Sequence, residues 1–210
     1  MQELIEIIVL TLIVTSLSTF ISALFGLPLA YILVAKNTAI TRFFKTVITV
    51  LTGLPPVVAG LLIYFLLTRN GPLGSFKLLY SPIAMIIAQI IIVLPIITSF
   101  ILPIFLKNHN EINETSKGLN LSKKTIFFLT LNECKFAIIS AVMVGFGRAT
   151  SEVGAVFIVG GNIFSKTRVM TTAILTQTNQ GNYLDAVILG GILLAISFSI
   201  NLLVRKFKEN

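Results

Sequence analysis

Between residues 4 and 204 lie five apolar runs, 4–34, 43–67, 82–106, 136–161 and 184–204, and none carries more than two charged residues. A helix of about 20 apolar residues crosses the roughly 30 Å hydrocarbon layer of a bilayer. Each run is long enough to do so. Spanning segments must satisfy every backbone polar group internally, which leaves helices or closed barrels. Runs of this length exclude the short alternating strands of a barrel. The sequence therefore predicts an all-α integral membrane protein of about five transmembrane helices, forming a single transmembrane domain over residues 1–210.

Composition supports this reading. Charged residues make up 11% of the chain and hydrophobic ones 55%, whereas soluble domains carry about 25% charged residues. The mean hydropathy is +0.96. The formal net charge of +8 raises the question of nucleic acid, but the basic residues cluster as cytoplasmic loops do. With five spans, Lys36, Arg42, Lys45, Lys107, Lys117, Lys123, Lys124, Arg205, Lys206 and Lys208 fall on one side. Arg69, Lys77, Lys166 and Arg168 fall on the other. That asymmetry places the amino terminus outside and the carboxyl terminus in the cytoplasm, with 107–124 as the main cytoplasmic loop. The start lacks the basic segment of a signal peptide, so the first run is expected to be a retained span. Its Gly26 and Pro28 are expected to kink or divide it.

Cys134 is the sole cysteine and His109 the sole histidine, so one chain assembles neither a disulfide nor a thiolate or imidazole metal cluster. No catalytic constellation is present. No Gly-rich loop ends in Gly-Lys-Ser or Gly-Lys-Thr, so the chain holds no ATP site of this type.

The fourth run contains Arg148 and Glu152, a charged pair at a depth where each charge costs a few kcal/mol. On a helix they pair as i and i+4, beside a stripe of Ala137, Ala141, Gly145 and Ala149 that lets a neighbouring backbone approach closely. Gly147, Ser151 and Gly154 are expected to widen that thin region. The pair reads either as an ion pair that fixes packing or as part of a polar pathway. The break "GLPPVVAG" in the second run reads chiefly as a packing feature.

The stretch "EINETSKGLNLSKKTIFFLTLNE" resembles the cytoplasmic coupling loop of binding-protein-dependent ABC importer permeases. Glu114, Thr115 and Ser116 stand at that family's Glu-Ala-Ala positions and Asn120 at its Gly, where Asn also adopts the left-handed conformation. Asn132 and Glu133 replace its Leu-Pro. "GRATSEVGAVFIVGGNIFSKTRVMTTAI" and "GLPPVVAG" resemble the oxyanion permeases for molybdate, sulfate and especially tungstate.

The resemblance implies two copies of the permease around a shared pathway, two cytoplasmic ABC ATPase subunits that bind ATP and Mg, and an extracytoplasmic tungstate-binding protein. It implies a prokaryotic inner-membrane location and no cofactor in this chain. Glu111, Glu114, Thr115, Ser116, Lys117, Gly118 and Asn120 would form the ATPase-coupling loop, with Glu114 near a helix amino terminus. Lys117, Lys123 and Lys124 read instead as contacts to lipid phosphates or, in preference, as the solvated charges of a positive-inside loop. Arg148, Ser151, Glu152 and Gly154 would line or brace the pathway, and Asn162, Lys166 and Arg168 would face the oxyanion or acidic groups of its binding protein, or equally form an ordinary hydrated loop. Two rival classes remain open at this point. One is an ion-coupled secondary transporter using Arg148 and Glu152, although the halves lack the internal repeats usual for such carriers. The other is a membrane scaffold, which leaves the intramembrane charges without a purpose.

Overall fold

Helix α1 (Gln2–Ala35) runs unbroken for 34 residues in the computed structural model, which describes residues 2–36, 38–119 and 121–209. The expected division at Gly26 and Pro28 does not occur. Pro28 deprives the Leu24 carbonyl of its donor, but α1 packs closely on α4 (Pro82–Leu119) and that neighbour holds the helix together. A Cβ on Gly26 would stand 2.8 Å from Thr98 Oγ1. The missing side chain is what lets α4 approach. Thr98 also donates to the Leu94 carbonyl at 2.7 Å within α4.

The second run departs from one helix. It forms α2 (Ala39–Leu51) and α3 (Pro56–Leu67), inclined to each other by 107°. Their 13 and 12 residues give lengths of about 20 Å and 18 Å, each too short to cross alone. The break follows from the sequence: Pro56 lacks the amide needed to continue α2, and its fixed φ favours the first turn of a new helix. Thr38 caps α2 by accepting from the Thr41 amide at 3.2 Å.

The third run also exceeds its expected limits. α4 continues to Leu119 over 38 residues, about 57 Å at 1.5 Å per residue, so 107–119 is a helical extension of the span rather than a loop. Glu114 accordingly lies near the carboxyl end of a helix, not at an amino terminus. α5 (Lys123–Glu133) and α6 (Lys135–Thr150) follow, bent by 70°. The fourth run is divided as well, because α6 ends at Thr150 and α7 (Gly154–Gly160) begins after a three-residue break. α8 (Met170–Asn179) and α9 (Tyr183–Glu209) complete the chain.

Among the described residues three helical stretches are long and apolar enough to cross a membrane, Glu3–Ala35, Pro82–His109 and Tyr183–Val204, and the count reaches five if each bent pair forms one span. The two ends of the bundle are distinct. At one, Glu3 meets Arg168, and the Tyr80 amide donates to the Val159 carbonyl at 2.9 Å. At the other, the Tyr31 ring meets His109 and Phe127 edge-on.

The core lies along α4. Met85, Ala88 and Ile92 pack with Ile63 of α3 and Val156 of α7, while Val93, Ile97 and Phe105 pack with Ala30 of α1 and Ala141 of α6. Large apolar side chains such as Phe20, Phe65, Leu194 and Phe198 face outward, as lipid or a neighbouring subunit requires.

Glycine sets the α3–α7 crossing. A Cβ on Gly60 would lie 2.7 Å from the Ala155 Cα, and one on Gly154 would lie 2.8 Å from Val57 Cγ2. The "GLPPVVAG" motif is thus consumed in packing. Gly60→Ala is expected to lower stability by about 1–3 kcal/mol, because a backbone atom cannot give way. Gly147 has open space around its Cβ position, so Gly147→Ala is expected to leave stability unchanged or raise it by up to about 1 kcal/mol. Unfolding titrations in mixed micelles check both.

Candidate functional site

The last turn of α6 is placed by its small-residue stripe. Ala141, Gly145 and Ala149 are buried, and a Cβ on Gly145 would come within 2.7 Å of Ile97 on α4. Gly147, two residues along and therefore on the far side of the helix, is exposed, as is Ser151. These two do not widen the buried stripe as expected; they form an open face opposite it. Arg148 sits between the two faces.

At Ser151 the helix stops. The Ser151 amide donates to Gly147 O at 3.2 Å and its hydroxyl to Arg148 O at 3.0 Å, which satisfies two of the final carbonyls of α6. Glu152 then falls in the break, with its side chain 2% exposed, and its Oε2 lies 2.8 Å from Nη1 of Arg148, whose side chain is 30% exposed. The pair anticipated from i and i+4 spacing forms even though Glu152 lies beyond the end of α6.

Glu152 has two further duties. Its Oε1 accepts from the Ala155 amide at 3.0 Å, one of the donors that the first turn of α7 leaves without a helical acceptor. A carboxylate is favoured there by the partial positive charge of that turn. Its main-chain carbonyl accepts from Thr171 Oγ1 of α8 at 2.8 Å. One residue thus joins α6, α7 and α8.

Behind it, Gln89 of α4 completes the junction. Its Nε2 donates to Ala149 O at 3.1 Å, and its Oε1 accepts from Ser18 Oγ of α1 at 2.7 Å. Ala149 O stands at the end of α6, where carbonyls lack helical donors. On α1, Thr11, Thr15 and Ser18 share one buried face, and Thr11 Oγ1 accepts from the Met170 amide that opens α8 at 2.9 Å. Gln89, Thr15, Thr150, Glu152 and Thr171 help line a cavity of only about 10 Å³. That volume is at the lower limit for one water. A solute meeting the pair must approach from the Arg148 side.

The remaining expected residues occupy other places. Gly154 starts α7 against Val57. Asn162 adopts a left-handed conformation, φ 49°, and donates to Thr176 Oγ1 at 2.7 Å. Arg168 Nη1 lies 3.4 Å from Glu3 Oε1 and its guanidinium stacks on Phe164. Lys166 is exposed. Glu111 lies on the extension of α4, and so do Glu114, Thr115, Ser116, Lys117 and Gly118, whose side chains fall outside the described residues. Asn120, and with it the left-handed turn expected there, lies outside them too. The structure unites Arg148, Ser151 and Glu152 at one junction and keeps the 111–119 and 162–168 groups apart from it. Gln89, Thr171, Glu3 and the α1 hydroxyls were not singled out by the sequence reading. The recurrence of Thr11, Thr15, Ser18 and Ser22 at i, i+4, i+7 and i+11 was the signal for the last of these.

Comparison with known proteins follows this geometry. The "Tungstate uptake system permease protein TupB" of Peptoclostridium acidaminophilum is 39% identical over 203 residues, covering 97% of this chain and 89% of the relative. A "Probable anion ABC transporter permease protein" of Haloferax volcanii is 35% identical over 211 residues, covering 98% and 91%. The TupB protein of Campylobacter jejuni is 35% identical over 168 residues, covering 80% and 70%. No family model matches the chain.

The junction yields an ordering of variants at position 89. Gln89→Leu removes donor and acceptor together and leaves Ala149 O with the Glu152 amide, at 3.2 Å, as its partner, so the two lost hydrogen bonds are expected to cost about 1–3 kcal/mol. Gln89→Glu is nearly the same size, but in its ionised form it turns an acceptor toward the Ala149 carbonyl and buries a charge, so it is expected to be the less stable of the two. Unfolding of both variants at neutral pH checks the order.

Proposed function

The chain belongs to the permease subunits of binding-protein-dependent ABC importers, in the oxyanion group, and from that membership we propose that it forms the membrane pathway of an ATP-driven uptake system for tungstate. In this reading an extracytoplasmic binding protein delivers the anion, and two copies of the permease enclose the pathway. Two ATPase chains supply the energy, with ATP and Mg bound there rather than here. A two-fold pair is the commonest closed assembly, and the small fold described above has too few spans to surround a conduit alone. Affinity resides in the binding protein, so the permease needs no cage of ligands. A weakly cationic wall of small residues, as Gly147, Arg148 and Ser151 present, suits transit without trapping.

The continuity of α4 carries the proposal. The same helix holds Gln89 at the charged junction and the 111–119 extension that would contact the ATPase, about 38 Å apart along the axis from residue 89 to 114. A displacement of the extension, through Glu111, Glu114, Thr115, Ser116, Lys117 and Gly118, moves α4 as one rod. Gln89 then passes that motion to Ser18 on α1 and Ala149 on α6. Arg148 and Glu152 brace the α6–α7 break that the motion would re-aim, and alternating access needs such a joint. Asn120 and helix α5 would complete the ATPase contact.

Uptake of tungsten and molybdenum at nanomolar oxyanion, read by elemental mass spectrometry in cells with and without the gene, tests this function. Selective loss of tungsten on deletion is the expected result. Loss of molybdenum instead would keep the importer and change its ion. No loss of either, with redundant uptake systems removed, would contradict the importer.

A further inference from the structure

The loop between α3 and the start of α4 is folded against itself. The Leu73 amide donates to Leu66 O at 2.9 Å, Gly71 N to Thr68 O at 2.7 Å and Gly74 N to Gly71 O at 3.0 Å. A Cβ on Gly71 or Gly74 would collide with main-chain carbonyls, those of Phe65 and Thr68. A single 3-10 turn, Gly74–Phe76, ends on Lys77 in the left-handed region at φ 51°. Tyr80, also left-handed at φ 61°, ties the loop to Val159. Few degrees of freedom remain.

This stiff loop surrounds an open cavity of about 470 Å³ lined by Leu67, Arg69, Gly74, Lys77 and Leu79. Its floor is apolar, since Leu67 is buried and Leu79 half-buried. Its rim carries two exposed cations. Among the described residues neither Arg69 nor Lys77 forms an ion pair, and none of the lining residues is acidic. The other basic loop on this end is different. Arg168 is paired with Glu3, and Glu3 and Glu6 line the neighbouring cavity with Lys166 and Arg168. The unneutralised positive charge of this end therefore gathers at 69–77.

We infer that the Arg69–Lys77 cavity is a docking surface for an acidic, protruding side chain of the extracytoplasmic binding protein. The inference rests on the importer reading proposed above and on the positive-inside pattern that puts this end outside. The cavity is far larger than one tetrahedral oxyanion requires and its cations stand in water, where pairing with a small free ion is weak. A rigid apolar floor with a cationic rim fits instead a carboxylate presented on a protein surface. Opposite charge at such a rim governs encounter rate and salt dependence.

The test uses the complete permease–ATPase complex in nanodiscs of neutral lipid, with the tungstate-loaded binding protein of the same cells as the probe. The variants are Arg69→Gln/Lys77→Gln and Arg69→Glu/Lys77→Glu. The expected result is a rise in half-stimulating concentration, about tenfold for the charge reversal, with the same maximal ATPase rate and unchanged basal rate. High salt should raise that concentration in the unmodified complex and much less in the Gln variant. In the unmodified complex the binding protein should also protect Lys77 from amine acylation.

An unchanged half-stimulating concentration overturns the docking surface alone. So does loss of maximal rate at constant half-stimulation, which would mark a role inside the transport cycle. Equal protection of Lys77 by anionic lipid without the binding protein assigns the cavity to lipid and overturns it too. Failure of the binding protein to stimulate even the unmodified complex contradicts the importer reading and removes this inference with it.

Discussion

A buried carboxylate has to be paid for by its surroundings, and Glu152 organises the centre of this molecule for that reason. Its side chain is 2% exposed, in a chain whose environment offers little water. Pairing with one cation seldom offsets such burial without further hydrogen bonds. Here one oxygen meets Arg148, the other caps α7, and the main-chain carbonyl takes the Thr171 hydroxyl. The break between α6 and α7 and the docking of α8 are arranged around meeting those needs.

The same requirement explains the polar residues that surround the junction. Ending α6 inside the bundle exposes its last carbonyls, and Gln89 supplies a donor to one of them from α4. The other end of that amide must be satisfied in turn, which places Ser18 opposite it on α1. Thr11 answers the amide that opens α8. Hydrogen-bonded groups of this kind have few alternative partners in an apolar surrounding, so the helices they join are held in register by α4.

Much of this was legible in the sequence, and the rest has identifiable causes. The apolar runs and sparse charges fixed an all-helical membrane protein, and the motifs of 111–133 and 147–174 pointed to the permease family that the relatives establish. The i, i+4 spacing of Arg148 and Glu152 anticipated their contact. Hydropathy does not register where a helix turns, so the break at 151–153 lay hidden inside a continuous apolar run, whereas the prolines of "GLPPVVAG" marked a break in the second run without giving its 107° bend. Polarity misled in the opposite sense at 107–119, where a hydrophilic stretch extends a helix. Pro28 looked like a divider because its tolerance depends on α4, a neighbour 54 or more residues away. Arg168 was expected to face the oxyanion or the binding protein, because its partner, Glu3, lies at the far end of the sequence.

The central claim is that Arg148 and Glu152 act as one electrostatic unit holding the α6–α7 break, and a double-mutant cycle in unfolding free energy tests it most directly. Arg148→Gln strands a carboxylate that is almost fully buried, whereas Glu152→Gln strands a guanidinium with partial access to solvent and keeps an acceptor for Ala155. The account predicts that each single variant is less stable than the double, that Arg148→Gln is the worse single, and that the coupling is about 1–3 kcal/mol. Additive losses, with the double variant weaker than either single, would contradict it.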